Sequence, residues 1–409
     1  MTLKRTLALS AAALFVASVA SAQQLRFDDV VRNLRNPDPK TRLAAVRLLR
    51  EAKYPEAAAP MAPLVLDPVD DIQLETIAAE LSLFLEQDVK SKRMVAFVLE
   101  KRKAAIAAAA FDLGPLVVWP RPVPAELVSA LLQAADDENP KVRLEAIYAT
   151  GVIAKATLAP LSNDQAQRLI KALDHYDPAV RSGAARVIAR LKVHEAGDAL
   201  IKAVNDSQAD VRYAAMRGLG AIREPRAVAA LTEQFAFYKK GEGAWSALDA
   251  LAQIGAASSV PLFKERLQDR DPYIRRAATE GLGRAGDAAS IDVFEKNITA
   301  DDAPMVRLAT AFALQKLGRN YAARLIDLMN STKVLAQGQE YLIELGPPVA
   351  PSLPPRLQEP DPDIREAMVD VLGVIGNEST LPALQAATKD GDASVASAAK
   401  RAIARIQAR

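Results

Sequence analysis

The chain of 409 residues contains 52 lysines and arginines, 50 aspartates and glutamates, and no cysteine. This balanced charge does not favour nucleic-acid binding, and the lack of cysteine excludes disulfides, thiolate metal sites and cysteine nucleophiles. Half of the residues are hydrophobic but few are aromatic, so stability must come from the packing of small apolar side chains.

The first 22 residues have the pattern of a secretory signal peptide. Lys4 and Arg5 precede an apolar run, and an A-x-A cleavage site at 20–22 would leave Gln23 as the mature start. The run is too short for a comfortable membrane span, and no cysteine follows it for lipid attachment. We therefore expect a periplasmic or secreted protein. No later segment reaches about 18 uninterrupted apolar residues, so we expect no second span.

A short phrase of Asp-Pro, an apolar residue and arginine recurs along the rest of the chain. It is written DPKTRLAAVRLL from 38, NPKVRLEAIYATGVI from 139, DPAVRSGAARVIARL from 177, ADVRYAAMRGLGAI from 209, DPYIRRAATEGLGRAGD from 271, APMVRLATAFALQKLG from 303 and DPDIREAMVDVLGVIG from 361. Arg181 and Arg212 are 31 residues apart, and Arg275 and Arg307 are 32 apart. The sequence therefore predicts repeated units of about 31 residues.

Each phrase has the features of a helix start. Aspartate is a favoured N-cap, and proline fits the first helical position because its missing N–H is not needed there. In the unit from 271, one apolar stripe consists of Ile274, Ala277, Ala278, Gly281 and Leu282. A shorter apolar helix follows in most units. Because one helix pair cannot bury its own stripe, the sequence predicts an all-α solenoid of stacked pairs.

The phrase resembles the short bacterial HEAT-like repeats of the phycobilisome-lyase type. The resemblance rests on Asp-Pro-x-Val/Ile-Arg-x-x-Ala and the later Leu-Gly, and it covers nearly the whole mature chain. It implies a structural ladder of turn residues that links adjacent units. The residues concerned are Asp177 with Arg181, Asp271 with Arg275, and Asp361 with Arg365.

One interruption divides the predicted array into repeats at 23–87 and at 124–409. Residues 88–123 contain a basic helix-like segment at 90–103, which is either a docking patch for an acidic partner or the envelope, or a solvated helix face. The proline-rich segment 111–123 follows it. Apolar residues there, with Trp119 and Arg121, indicate either a cover for the core or a contact site.

The sequence offers little catalytic chemistry. His175 and His194 are the two histidines, and His194-Glu195 is a single His-Glu step, whereas the di-iron HEAT-like enzyme deoxyhypusine hydroxylase has several. We therefore expect no metal, no cofactor and no enzymatic activity. The alternative is a metal-dependent oxidoreductase or a lyase-like enzyme. Bilin attachment by the lyase branch is an intracellular task, which conflicts with the signal peptide.

A binding surface is the leading functional hypothesis, since solenoids work mostly as interaction surfaces. The position after the anchor arginine should face outward, away from the buried stripe, and so should the position four residues later. These positions hold Tyr213, Trp245, Arg276, Arg217 and Glu280. We expect a protein or peptide ligand on the concave face and a monomeric chain.

Two expectations for particular residues complete the sequence interpretation. Trp245 stands in a unit without the Val-Arg phrase, so it either fills a packing defect or contacts the partner, and the sequence does not decide between them. The last helix carries Lys400, Arg401, Arg405 and Arg409, which suits a solvated cap.

Overall fold

The computed structural model describes residues 26–85, 106–157 and 159–409. The predicted signal peptide and the basic segment 90–103 lie outside these residues. Within them the chain forms helix pairs stacked along the sequence, and the prediction of an all-α solenoid is confirmed. No helix in this part of the chain is long and apolar enough to cross a membrane.

Long and short helices alternate. In chain order the helices are α1 (Phe27–Asn33), α2 (Pro39–Ala52), α3 (Ala58–Met61), α4 (Asp70–Phe84), α5 (Ile106–Asp112), α6 (Ala125–Ala134), α7 (Pro140–Ile153), α8 (Asn163–Lys171), α9 (Pro178–Leu191), α10 (Gly197–Ala203), α11 (Ala209–Ala221), α12 (Val228–Tyr238), α13 (Gly241–Ile254), α14 (Val260–Arg266), α15 (Pro272–Arg284), α16 (Ile291–Ala300), α17 (Pro304–Lys316), α18 (Ala322–Leu328), α19 (Thr332–Leu345), α20 (Pro362–Ile375), α21 (Leu381–Ala387) and α22 (Ala393–Gln407). Short 3-10 turns precede most of the shorter helices.

The recurrent phrase starts the long helices. The carboxylates of Asp38, Asp177, Asp271 and Asp361 accept hydrogen bonds from backbone N–H groups in the first turn of α2, α9, α15 and α20. A proline occupies the first position of each of these helices. The local sequence thus fixes where each long helix begins.

Long helices of consecutive units pack directly against each other. A Cβ added at Gly283 would lie 2.7 Å from the Cα of Ala313, and one at Gly220 would lie 2.8 Å from the Cα of Ala250. A larger residue at either position would therefore push the neighbouring helix away. This close approach explains why alanine and glycine dominate the stripe.

A ladder of arginines links several units to the next. Its rungs are Arg42 to Asp67, Arg143 to Asp177, Arg181 to Asp206, Arg275 to Asp301 and Arg365 to Asp390, with N···O distances of 2.6–3.2 Å. The Nη1 atom of Arg275 also donates to the carbonyls of Asp269 and Arg270 in its own turn. The arginine therefore joins its own loop to that of the following unit.

The pairing differs from the Asp–Arg pairs of one turn that the sequence pattern suggests. Asp271 and Asp361 cap their own helices, while Arg275 and Arg365 reach forward to the next unit. The reason is geometric. The arginine lies four residues into the helix, so its guanidinium points to the adjacent turn of the next unit, and a capping carboxylate such as Asp177 is reached by the arginine of the preceding unit.

The ladder predicts a measurable loss of stability. Replacing Arg275 with methionine leaves Asp301 and two loop carbonyls without a charged donor, so we expect the free energy of unfolding to fall by about 2 kcal/mol. Urea denaturation followed by circular dichroism would measure it. Arg217→Met is the matched control, because Arg217 and its partner Glu242 are both exposed and such pairs contribute below about 1 kcal/mol. Equal losses in the two variants would contradict the structural role of the ladder.

Helix α5, within the interruption, packs against the repeat array. The carboxylate of Glu145, in α7, accepts hydrogen bonds from the N–H groups of Ile106 and Ala107 at 2.8 and 2.7 Å. Phe111 packs beside Tyr148, with ring centroids 5.2 Å apart. The start of α5 is thus capped by a side chain of the helix on which it packs.

The segment after α5 is tied to both halves of the array. Leu85 and Val118 form an isolated β-bridge, and the N–H of Trp119 donates to the carbonyl of Phe84 at 2.9 Å. Val118 is buried and Trp119 is half-buried. The N–H of Arg121 donates to the carbonyl of Ala156. These contacts favour the interpretation of residues 111–123 as a cover.

The last helix is not a solvated cap, and that expectation was wrong. Arg401 and Arg405 of α22 are buried. The Nη2 atom of Arg405 donates to the backbone carbonyls of Leu116 and Val118, the latter at 2.8 Å. The solenoid curls enough to bring its end against the interruption. A single sequence does not show this curvature, so the contact could not be predicted.

Candidate functional site

The sequence predicts that the position four residues after Tyr213, and the same position in other units, faces outward. In the structure this position faces the inside of the superhelix. Glu280 in α15 and Phe312 in α17 are buried, and Tyr341 of α19 lies against both. The hydroxyl of Tyr341 donates to Glu280 at 2.5 Å, and its ring stacks on Phe312 with centroids 4.3 Å apart. The unit of α17 lies between those of α15 and α19. Because side chains of α15 and α19 still meet, the long helices line the inner side of the curve. The expectation that Glu280 is exposed was wrong for this reason.

Ion pairs on this inner side join the long helices α13, α15 and α19 and the turn that follows α11. We call Arg223, Asp249, Arg276, Glu280, Arg284, Tyr341 and Glu344 the inner-face network. Arg276 pairs with Asp249 at 2.6 Å and with Glu280 at 3.1 Å. Arg284 pairs with Glu280 at 2.8 Å and with Glu344 at 3.0 Å. The outer member Arg223 reaches Glu344 at 3.0 Å.

The electrostatics of the network follow from burial and pairing. Burial alone would raise the pKa of Glu280, but Arg276, Arg284 and the Tyr341 hydroxyl together hold it below its ordinary value. Burial and the neighbouring Glu280 raise the pKa of Tyr341. Glu280 is therefore a paired anion and Tyr341 a neutral donor. The arrangement fixes the curvature of the array and presents no activated nucleophile.

Arg276, predicted as a contact for a partner, is thus engaged within the protein. Tyr213 and Trp245, at the equivalent positions of α11 and α13, make other contacts: the Trp245 ring stacks on Tyr273 with centroids 4.5 Å apart, and the Tyr213 ring lies 5.5 Å from that of Tyr238. Arg276 instead pairs with Asp249 of the preceding long helix.

Trp245 takes over the link between units where the ladder arginine is missing. Its Nε1–H donates to Asp271 of the next unit at 2.7 Å, and its ring is half-buried. In the unit before, Arg212 donates to the hydroxyl of Tyr238 at 2.5 Å. Trp245 therefore has a structural role, and Tyr273, on which it stacks, remains partly exposed.

Exposed and half-buried aromatic side chains follow one edge of the array. We call Tyr176, Tyr213, Phe237, Tyr238, Trp245 and Tyr273 the aromatic ridge. Tyr176, Phe237 and Tyr273 have exposed fractions of 75%, 73% and 42%. Phe237 and Tyr238 end the short helix α12, and the other ridge residues lie at the starts of the long helices α9, α11, α13 and α15 or in the turn just before them. Because these helices stack side by side, their starts share one edge.

Arginines accompany the aromatic ridge. The guanidinium of Arg143 lies 5.2 Å from the ring centroid of Tyr176, and that of Arg212 lies 5.8 Å from the centroid of Tyr238. Arg217 is exposed and pairs with Glu242 at 2.5 Å. Trp119 and Arg121 are not part of this edge, because they belong to the segment that joins α4 to α7.

The histidines have ordinary local contacts. The Nδ1 atom of His175 accepts a hydrogen bond from the N–H of Asp177 at 3.0 Å, and His194 begins a 3-10 turn. In the part of the chain that the structure describes, no three His, Asp or Glu side chains are placed to hold a metal ion.

Sequence reasoning missed Arg284, Tyr341 and Glu344. Arg284 could have been found, because it lies nine residues after the anchor Arg275, on the same helical face as Glu280. Tyr341 and Glu344 had no such signal, since their unit lacks the anchor arginine. Their contacts depend on how tightly the array curls.

The chain belongs to the HEAT-repeat family, which confirms the resemblance seen in the sequence. The model of the family, described as HEAT repeats, matches residues 166–236, 241–315 and 323–408, more than half of the chain. No curated protein matches the chain.

Several solved structures are similar at low identity. An engineered protein of the Northeast Structural Genomics Consortium is 19% identical, with 93% of this chain and 98% of that chain covered and a TM-score of 0.43. The complex of CpcE and CpcF of phycocyanin lyase from Nostoc is 19% identical, with 76% and 96% covered and a TM-score of 0.36. Importin beta is 14% identical, with 93% and 57% covered and a TM-score of 0.36.

Proposed function

We infer that the mature chain is an exported, non-enzymatic scaffold that binds a protein or peptide partner. The observation that carries this is the aromatic ridge, with Tyr176, Phe237 and Tyr273 exposed on the edges of neighbouring units. Large aromatic side chains are enriched among the residues that dominate binding energy at interfaces, and a solenoid presents them as an extended surface.

The aromatic ridge supports partner binding better than the concave face does. Between α13 and α19 the inner side is occupied by Glu280, Tyr341 and their ion-pair partners. Near α7 and α9 it is occupied by α5, whose Phe111 lies under Arg190. A partner that contacts the edge needs no displacement of these groups.

A triple variant tests the proposal. Tyr176→Ser, Phe237→Ser and Tyr273→Ser together should reduce the retention of envelope proteins or displayed peptides by at least about tenfold, since a hot-spot residue contributes about 2 kcal/mol or more. The measurement is affinity capture with the immobilised mature chain. Leu48→Ser with Val293→Ser is the matched control, because both side chains are exposed and distant in sequence from the ridge. Unchanged capture by the triple variant would reject the ridge as the binding surface.

Export has its own test. The A-x-A site predicts that the protein from the cell envelope begins at Gln23, which N-terminal sequencing would show. A chain recovered intact in the cytoplasm would contradict export and would leave the ridge to be tested separately. Envelope contact through 90–103 stays a prediction.

A further inference from the structure

One face of the first long helix, α2, is open at positions where the other long helices are buried. Six residues after the anchor, a long helix closely approaches the preceding long helix, and its Cα lies 2.7–2.9 Å from a Cβ added at a glycine there. The pairs are Ala250 with Gly220, Ala313 with Gly283, and Ala402 with Gly373. In α2 the same position is Leu48, which is 42% exposed.

The equivalent residues of other units show how this face is normally covered. Six residues after the anchor, the following side chains are at most 1% exposed: Ala149, Val187, Ala250, Ala313, Val371 and Ala402. Two residues after the anchor, Ala44 of α2 is exposed, whereas Ala214, Ala277 and Ala309 are buried. Among the described residues only the short helix α1 precedes α2. The first unit therefore presents the packing face of an internal unit without a long helix against it.

A groove of about 920 Å³ lies beside Leu48, between α1 and α2. Phe27, Val30 and Ala52 contribute to its apolar lining. Tyr54 stands at the groove with 53% of its surface exposed, and its ring packs edge-on against Phe27 with centroids 5.9 Å apart. Terminal units of a solenoid normally carry a polar outer face, so this apolar face indicates an interaction surface.

The other end of the array does not offer a matching apolar surface. Four residues after the anchor, a long helix faces the next unit, as Ile147 of α7 faces Gly183 of α9. Met216 and Val369 are buried at this position, but in the last helix, α22, it holds the exposed Lys400. Head-to-tail stacking of α2 on α22 would desolvate this ammonium group, which is costly. Open-ended assembly of the chain is therefore disfavoured.

The charges beside the open face are complementary to themselves. Arg47 and Glu51 lie one turn apart on α2 and both are exposed. The contact of Arg47 with Glu75 is 3.6 Å long and leaves 60% of the arginine side chain exposed. In an antiparallel pairing of two α2 helices about a two-fold axis near Leu48, Arg47 of each copy approaches Glu51 of the other. Such a pairing uses the same surface on both copies and closes on itself.

We propose that the chain from Gln23 forms a two-fold dimer in which α2 packs against α2 of a second copy. Ala44 and Ala52 lie one turn on either side of Leu48, so the two helices can approach as long helices do within the array. This assembly differs from the monomer expected from the sequence. It rests on the proposed removal of residues 1–22, which N-terminal sequencing tests independently of the dimer.

Sedimentation velocity of the chain from Gln23 tests the proposal. We expect monomer and dimer in a concentration-dependent equilibrium, with the dimer predominant above about 50 µM and no larger species. Leu48→Lys should raise the dissociation constant at least about tenfold, because it places two ammonium groups together at the axis. Val293→Lys is the matched control, since Val293 is an exposed apolar residue of α16 and should not affect dimerisation. A monomer at every concentration, or equal dissociation constants for the two variants, would overturn the proposal.

A single introduced cysteine locates the axis. The chain has no cysteine, so Leu48→Cys supplies one thiol per copy. Two-fold pairing near this position brings the two thiols within reach of a disulfide, and mild oxidation should convert most of the chain to a covalent dimer. Val293→Cys is the control and should remain largely uncross-linked. Cross-linking of Leu48→Cys no greater than that of the control would overturn the pairing of α2 with α2. The dimer face lies on the first unit, apart from the aromatic ridge, so either proposal can fail without the other.

Discussion

Replacing Glu280 with alanine is expected to lower the free energy of unfolding by about 3–5 kcal/mol. The side chain is 4% exposed and accepts from Tyr341 while pairing with Arg276 and Arg284. Its removal takes a carboxylate partner from the buried guanidinium groups of Arg276 and Arg284. It also leaves the Tyr341 hydroxyl without its acceptor. Removing one partner of a buried ion pair is far more damaging than breaking a surface pair. Chemical denaturation followed by circular dichroism would measure the change.

A double-mutant cycle shows whether the effect comes from the network. Glu280→Gln keeps the shape of the side chain, and Tyr341→Phe keeps the ring stacked on Phe312. We expect a coupling energy of about 0.5–3 kcal/mol between the two substitutions. Glu242→Ala is the matched control, an acid in an exposed ion pair. A loss from Glu280→Ala no larger than that from this control would show that the network does not hold α15 to α19.

The repeat and its helix starts could be predicted from the sequence because they depend on local chemistry. Asp361 followed by Pro362 specifies a capped helix wherever it occurs, and the structure has that helix. The spacing from Arg181 to Arg212 likewise predicted the stacking of similar units. Such signals need only neighbouring residues and the period of the helix.

The inner face could not be predicted because it depends on curvature. Glu280 and Arg217 occupy equivalent positions, yet Glu280 is buried under Tyr341 while Arg217 is exposed. Likewise Arg405 looked like a surface residue, since the charge pattern of one helix does not show what packs on it. A small rotation between units, accumulated along the array, decides which side chains meet.

A comparison of equivalent positions in the long helices nevertheless identifies one unusual residue in the first units. Seven residues after the anchor, most long helices carry an apolar side chain, as in Leu49, Ile188, Leu219, Leu282, Leu314 and Leu372, all fully or almost fully buried. In α4 the same position is Glu80. It is 0% exposed, and neither of its carboxylate oxygens has a hydrogen-bond partner among the residues that the structure describes. Burial raises the pKa of Glu80 well above its ordinary value of 4.5.

Glu80→Leu is therefore expected to stabilise the protein, by about 2–4 kcal/mol at pH 7, by removing an unpaired buried acid and restoring the apolar stripe. The gain depends on pH in a defined direction. Above about pH 4.5 the unfolded chain releases the proton of Glu80 while the folded chain retains it, so the wild type loses stability as pH rises from there to the folded-state pKa. The leucine variant lacks this loss, and its advantage should be larger at pH 7 than at pH 4.

Asp71→Leu is the control, because Asp71 lies on the same helix and is exposed. We expect it to change the free energy of unfolding by less than about 0.5 kcal/mol at either pH. Denaturation curves of the wild type and both variants at pH 4 and pH 7 give the comparison. Destabilisation by Glu80→Leu, or a gain in stability that does not grow with pH, would contradict this prediction. It would mean that interactions of the Glu80 carboxyl group compensate its burial and that α4 depends on this acid more than on its apolar stripe.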